Sequence, residues 1–231
     1  MTIAYVKAYT LPKMSLVKRE IKPTFNEERR FQADGYKLTA GVDEVGRGCL
    51  AGPVVAAAVI LPSKMRFPWL QEVRDSKMLS AKKREKLFVC IEDAAIAIGV
   101  GVISHGLIDA LGIVPATKEA MQQAIMQLAP AADSLIIDFV KLDDILLPQK
   151  SIVHGDALCY SIACASIIAK VTRDHMMIIL DTQYPGYSLC HNKGYGTREH
   201  WRCIEEHGLS PIHRRSFCHL QYRLKPTSDN S

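Results

Sequence analysis

An α/β sheet covered by helices on both faces is the fold this 231-residue chain predicts. Short apolar runs rich in β-branched residues and alanine, at 38–42 and 54–61, have the composition of strands buried on both sides. Further single strands alternate with stretches of helical periodicity, as a layered sheet requires. No Ser/Gly-rich stretch, charge block or fixed-period repeat divides the chain, so it reads as one domain.

The elements follow in order. Residues 1–24 show little periodicity and form a loosely ordered N-terminal extension; the domain spans 25–217 and a tail 218–231. Residues 26–32 form a short helix capped by Asn26. Strands follow at 38–46 and 53–61. After a Pro-containing loop, Ser80 caps a helix to about residue 93, with apolar positions at Leu87, Cys90, Ile91 and Ala94. Residues 95–104 alternate small and branched side chains as a third strand. A short helix at 105–110 precedes a longer one that Pro115 opens and that ends near residue 128. Residues 135–138 are a fourth strand and 151–153 a short fifth. The longest helix spans 156–182, and its run SIACASIIAKV puts small residues at near-helical spacing, allowing close approach to the sheet. Tyr184-Pro185-Gly186 stops it. A helix at 197–207 follows, and the chain beyond 224 is expected to be disordered.

At 48% hydrophobic, the chain can bury a substantial core. Its net charge of +5 favours a polyanionic partner. Lys82, Lys83, Arg84 and Lys86 cluster in one stretch, and Arg198, Arg202, Arg214, Arg215 and Arg223 lie late in the chain; such patches neutralise phosphates. The first twenty residues hold no apolar core of the kind export requires, and no run approaches the ~18–20 residues that span a bilayer. A cytoplasmic protein without membrane contact is expected. Seven cysteines, an odd number without a C-x₂-C pair, are expected to be reduced thiols. Cys190-His191 and Cys218-His219 lack the ligand spacing of a structural zinc site.

The most informative stretch is GVDEVGRGCLAGPVV, residues 41–55. Asp43 and Glu44 stand side by side at the end of an apolar approach. Adjacent carboxylates raise each other's pKa unless something positive compensates. A divalent cation such as Mg²⁺ or Mn²⁺, with its preference for hard oxygen ligands, is the usual remedy. Successive strand residues point to opposite faces, so both side chains reach one site only if the strand ends or bulges there. Gly46-Arg47-Gly48 beside them offers unhindered backbone N–H groups and a guanidinium fork, both suited to a phosphodiester. Asp138 closes an apolar strand at its C-terminal end, where α/β folds place their chemistry. Asp156 opens the long helix, where it can cap the helix, meet a metal, or do both.

These residues belong to a larger pattern. GVDEVGRGCLAGPVV, RDSKMLSAKKREKL (74–87), SLIID (134–138), HGDALCYSIACASIIAKVTRD (154–174) and YPGYSLCHNKGYGTREHWRCIEEHGLSPIHRRSF (184–217) together resemble the type 2 ribonucleases H, specifically the bacterial ribonuclease HII family. The motifs run in family order over about residues 25–217. The resemblance implies a ribonuclease H-like mixed sheet flanked by helices, with a helical C-terminal extension. It implies an endonuclease for the RNA strand of RNA–DNA hybrids that also incises 5′ to single ribonucleotides embedded in duplex DNA, leaving 3′-OH and 5′-phosphate ends. Asp43, Glu44, Asp138 and Asp156 match the four acidic active-site positions. By that match they would hold two Mg²⁺ or Mn²⁺ ions ~3.5–4 Å apart, with Asp43 bridging them and Asp156 acting mainly once substrate is bound.

Only the 2′-OH tells the two sugars apart. Gly46, Arg47 and Gly48 would approach it, and Tyr195, in the glycine-flanked stretch 193–197, would pack by resemblance on the deoxyribose that follows. Ser76, Lys77 and Lys193 are candidate phosphate ligands, whereas Asp109 and Asp174 read as structural. Two positions depart from the family pattern: His154 replaces the Lys common before Gly-Asp, and Phe139 replaces the usual Gly after the third carboxylate. A monomer is expected; a replication clamp would be a fitting protein partner, although no residue pattern points to one. Two readings compete with this one. Another two-metal nuclease on the same sheet leaves the GRG and GYG segments unexplained, and a non-catalytic nucleic-acid-binding module has no need of four carboxylates.

Overall fold

Alanine and β-branched residues leave a strand no polar face, so the sheet must be covered on both sides. The computed structural model describes residues 22–62, 67–74 and 76–222. Strands β1 (Thr39–Val45), β2 (Val54–Ile60), β3 (Ala97–Ile103), β4 (Ser134–Asp138) and β5 (Gln149–Ile152) form one sheet in the order β3-β2-β1-β4-β5. The β3-β2-β1 part is antiparallel, while β4 runs parallel to β1, and β5 to β4. Helices α1 (Asn26–Ala33), α2 (Ala81–Ala94), α3 (His105–Leu111), α4 (Ile113–Met126), α5 (Gly155–Leu158), α6 (Tyr160–Gln183), α7 (Leu189–Asn192), α8 (Arg198–His207) and α9 (Arg215–Tyr222) surround it.

Every residue of β2 is buried. Ala56, Ala58 and Ile60 pack with Ala120, Met121 and Ala124 of α4, while Val55, Ala57 and Val59 meet Leu87 and Ile91 of α2 and Ala163 and Ile167 of α6. A third cluster, including Leu50, Met177, Leu189, Cys203, Ile204 and Ile212, fastens the C-terminal helices to the far end of α6. The small residues of α6 do what their spacing suggested. A Cβ placed on Gly41 of β1 would lie 2.2 Å from the backbone carbon of Ser161, so helix and strand touch main chain to main chain.

Several expected boundaries shift. Phe25, not Asn26, occupies the cap position of α1; the Asn26 N–H is instead taken by Thr24 Oγ1 at 3.4 Å. The single helix expected over 156–182 is two. Cys159 is extended (φ −124°, ψ 129°) and separates α5 from α6. Thr24 causes the break by pairing there as a bridging strand residue, its N–H donating to the Leu158 carbonyl (2.9 Å) and its carbonyl accepting from Tyr160 (3.2 Å). Ser104 leaves the third strand to cap α3, accepting from Leu107 N–H. Helix α4 begins two residues before Pro115. Helix α7 has no counterpart in the sequence reading, and α9 runs across the boundary placed at 217. Ser80 caps α2 as expected, accepting from Lys83 N–H, and α6 ends at Tyr184. The remainder of the N-terminal extension, residues 1–21, and the tail from 223, including Arg223, lie outside the described residues.

The contact of Gly41 with α6 generates a stability test. Gly41→Ala should cost about 1–3 kcal/mol through overpacking, read as a lower urea midpoint with an unchanged m-value. An unaltered midpoint would show that α6 can withdraw from β1 freely.

Candidate active site

The carboxylates gather where the sheet forks. β1 stays paired to β2 as far as Val45, but its pairing with β4 ends at Val42↔Ile137. Beyond that point Asp43 and Glu44 stay in register with β2 and have no partner on β4, and the pairing shows no bulge. Asp43 is only 5% exposed. Its Oδ1 accepts the Glu44 N–H at 2.7 Å, and the Ser166 hydroxyl of α6 also bonds to the carboxylate. Glu44 Oε1 accepts from Arg47 Nη1 at 3.1 Å, while Oε2 is buried with no hydrogen-bond partner. Asp138 Oδ1 accepts the Gly155 N–H at 2.7 Å, fastening the start of α5 to the tip of β4. Asp156, in the first turn of α5, is 7% exposed. It shares a cavity of about 340 Å³ with Asp138, Lys77 and His154.

Like charges held out of water resist ionisation. Burial, then Glu44 and Asp138, hold the Asp43 carboxyl well above the usual carboxylate range. Burial also raises Glu44, against the opposing pull of Arg47 and with an added push from Asp138. Among the described residues, no three Asp, Glu, His or Cys side chains already enclose a single ion position. The donor set nonetheless fits a hard divalent cation: carboxylate oxygens only, mutually repelling, with one buried oxygen unpartnered.

The flanking loop is shaped by two buried arginines, Arg173, which the sequence did not single out, and Arg214, which it placed in a phosphate-neutralising patch. Arg173 of α6 donates to the carbonyls of Pro53 (2.9 Å), Lys193 (2.8 Å) and Ala51 (3.2 Å). Arg214 donates to Arg47 O (2.9 Å) and Gly52 O (2.9 and 3.0 Å). Both are fully buried, so Arg214 belongs to the interior and not to the phosphate-binding patch suggested by its position. Gly46, at φ +93°, is a glycine because a Cβ would lie 2.3 Å from Arg173 Nε. Gly48 is exposed, with nothing within 4 Å of its Cβ position, so its backbone is open to a ligand. The half-exposed Arg47 side chain faces Glu44.

Tyr195 is brought to the same loop. Gly194 O accepts from Leu50 N–H at 2.7 Å, and Cys49 and Tyr195 form a bridge. Lys170 Nζ and Arg173 Cζ each lie 5.7 Å from the ring centroid. The ring is 36% exposed; burial and the neighbouring Cys49 push its phenol up to about 12. A hydrogen-bond chain fixes its backbone from below. Ser210 N–H donates to His213 Nδ1 (3.0 Å), so His213 carries its proton on Nε2 and donates to His200 Nε2 (3.0 Å). His200 Nδ1–H is then left for the Tyr195 carbonyl (3.0 Å). Burial, reinforced by His200, pulls His213 down to about 4, keeping it neutral.

The candidate phosphate ligands separate. Lys77 is exposed at the cavity. Ser76 lies beneath, 3% exposed, with its hydroxyl on Ser166 Oγ at 2.9 Å, and so supports Asp43 through Ser166. Lys193 turns its ammonium onto the Cys190 carbonyl. Arg84 is not part of a surface cluster: it donates to Ser76 O and Leu79 O and pairs with Asp174. Lys83 and Lys86 face Glu72. Asp174 and Asp109 are structural as expected. Asp109 accepts the Arg215 and Ser216 N–H groups at the start of α9. Ser166, Arg173, Arg214, His200 and His213 all fall inside the family-like motifs, the one signal that could have marked them.

The charge crowding has a measurable consequence. A carboxyl whose folded pKa exceeds its ordinary 3.8 stabilises the fold fully below that value and loses the contribution as pH rises through the folded pKa. Ionised Asp43 is therefore a cost at neutral pH. In EDTA at pH 7.5, Asp43→Asn should be more stable than the parent by at least about 1 kcal/mol, the difference shrinking towards pH 4. Urea titrations at both pH values check this, and a less stable variant at pH 7.5 would contradict it.

The chain is similar to known proteins over most of its length. The family model for ribonuclease HII matches residues 40–220. A ribonuclease HII of Dehalococcoides mccartyi is 55% identical over 201 residues, covering 87% of this chain and 95% of that protein. Among solved structures, ribonuclease H2 from Pyrococcus horikoshii OT3 has a TM-score of 0.67 at 26% identity, covering 80% of this chain and 97% of that one. Ribonuclease HII of Archaeoglobus fulgidus, solved in a complex with PCNA, also reaches 0.67, covering 84% and 98%; at 24% identity that likeness speaks for the fold. With the carboxylates of β1, β4 and α5 set beside a glycine loop and an exposed tyrosine, the chain belongs to the ribonuclease HII family and is an endoribonuclease acting on RNA–DNA hybrids.

Proposed function

We propose that this enzyme also incises duplex DNA on the 5′ side of a single embedded ribonucleotide, leaving 3′-OH and 5′-phosphate ends, with Asp43, Glu44, Asp138 and Asp156 holding two divalent ions. The observation that carries this reading is the buried carboxylate group at the β1–β4 fork, opening beside Gly48 and Tyr195. A non-catalytic binding module would gain nothing from burying Asp43 and Glu44 in mutual repulsion.

The ions, once bound, supply an acidified water nucleophile and stabilise the departing oxygen. The protein's own groups do the positioning. The exposed Gly48 backbone can approach a 2′-OH without steric hindrance. Tyr195 presents its ring next to that backbone, and the nucleotide after the ribose can pack on it. Gly46 and Arg47 shape and charge the same loop. Lys77, at the cavity, is suited to a phosphate oxygen; Lys193 would serve one only by leaving the Cys190 carbonyl, and Ser76 supports Asp43 through Ser166. No histidine is needed as general base: the buried His200–His213 pair is spent on holding Tyr195. Mg²⁺ and Mn²⁺ both suit the all-oxygen donor set.

Two experiments test the reading. Asp138→Asn should reduce cleavage of a continuous hybrid by at least ~10³-fold, the scale on which loss of a group stabilising developing charge is felt, while circular dichroism stays native. The parent should be inactive in excess EDTA, and full activity there would remove metal from the mechanism.

Tyr195→Ala addresses the junction itself. Cleavage at a single ribonucleotide should fall ~100-fold, since small misplacements at a reacting centre have that effect, with a smaller loss on a continuous hybrid. End-group analysis of the parent's products should find 3′-OH and 5′-phosphate. A cyclic phosphate would instead indicate attack by the ribose's own 2′-OH.

A further inference from the structure

A bulky side chain in left-handed backbone is strained, and the strain persists only where something else requires the residue. Two such residues border the carboxylates. Phe139, at φ +56°, directly follows Asp138; His154, also at φ +56°, directly precedes Gly155 and Asp156. Their strands are neighbours in register, Asp138 opposite Ile152. The Phe139 N–H donates to the Ile152 carbonyl at 3.0 Å, so the two tips lie at the same end of the sheet. Neither ring is used for packing. Phe139 is 65% exposed and Val153 60%, and the exposed His154 lines the cavity shared with Asp138 and Asp156. A glycine would relieve the strain at either position and, at 139, remove an apolar ring from water.

The sheet order gives this surface its place. β1, with Gly48 and Tyr195 beyond it, flanks β4 on one side, and β5 flanks it on the other. Neighbouring strands lie ~4.8 Å apart, so the two aromatic surfaces fall on opposite sides of the Asp138 carboxylate. A phosphodiester over the carboxylates has a nucleotide on each side. Charged groups hold the phosphates, and the faces of sugars and bases are what aromatic rings take.

We propose that Phe139, with Val153 and His154, is a second substrate-contacting surface, packing against a sugar or base of the duplex on the side of the scissile phosphate away from Tyr195. This rests on the hybrid-nuclease reading above, and supplies the nucleotide contact that Tyr195 cannot reach.

Three variants test it: Phe139→Gly, Phe139→Asn, which also accepts left-handed backbone, and Phe139→Trp. Affinity for a single-ribonucleotide duplex is measured in EDTA, where cleavage is arrested, together with the thermal midpoint. Phe139→Gly should melt about 2–4 °C higher as strain is released, yet bind the duplex ~10-fold more weakly. Phe139→Asn should lose affinity likewise. Phe139→Trp should bind like the parent, and its added indole emission should change when duplex is titrated in. Parent-like affinity in the Gly and Asn variants, an indole indifferent to duplex, or a drop in midpoint in both Gly and Asn variants would each overturn the proposal. Should Tyr195→Ala lose junction cleavage while Phe139→Gly binds normally, this surface fails and the nuclease reading stands. A parent that neither binds the duplex nor cleaves it when Mg²⁺ is supplied takes both away.

Discussion

Three carboxylates held close together, Asp43 and Glu44 largely out of water, impose the central constraint on this structure. Asp43 and Glu44 ride into the interior on a strand whose other residues, Thr39 apart, are apolar, and Asp138 arrives beside them on β4. Repulsion and desolvation oppose that arrangement, so the surrounding groups are arranged to tolerate it. Ser166, backed by Ser76, serves Asp43. Arg47 answers one oxygen of Glu44, and the N-terminal turn of α5 answers Asp138. What these partners leave uncompensated is the capacity to take up positive charge.

The same region contains the opposite case, two guanidinium groups buried with backbone carbonyls as their hydrogen-bond partners. Arg173 and Arg214 converge on residues 47–53 from α6 and from just before α9. Burial draws Arg214 down to about 10, still charged at neutral pH. A charged donor fixes a carbonyl more firmly than a neutral one, so the loop is pinned from below and its upper edge, at Gly48, is left free. The C-terminal extension acts on the active site through Arg214 and the His200–His213 pair, which sets the carbonyl of Tyr195. The extension thereby shapes the loop that borders the carboxylates, with no carboxylate of its own among them.

The site accordingly has a hard, negatively charged floor and softer walls, glycine backbone and Tyr195 on one side and the Phe139–His154 edge on the other. On the proposed reading, ions held by the carboxylates would take the phosphodiester, while close backbone approach and ring surfaces would take the sugars. That division suits an enzyme that must accept any base sequence and respond to one hydroxyl.

Local chemistry determined much of this in advance. The buried strands follow from their composition, the Ser80 cap from a hydroxyl before a helical run, the close approach of α6 from its small residues, and the candidate acids from charge at the ends of apolar strands. Where the long helix was broken or a charged side chain misplaced, the deciding partner was remote in the chain. Thr24 breaks the long helix at Cys159 from 135 residues away by pairing with it. Arg84 and Arg214 look like surface cations until Asp174 and the carbonyls of 47–52 are folded against them. Ser76 resembles a phosphate ligand until Ser166 covers it. A sequence records a side chain's type and its near neighbours, and those settle propensity and polarity. Burial and hydrogen-bond partners are settled only when distant segments meet, and in this protein that meeting decides which charged groups face substrate and which hold the site in shape.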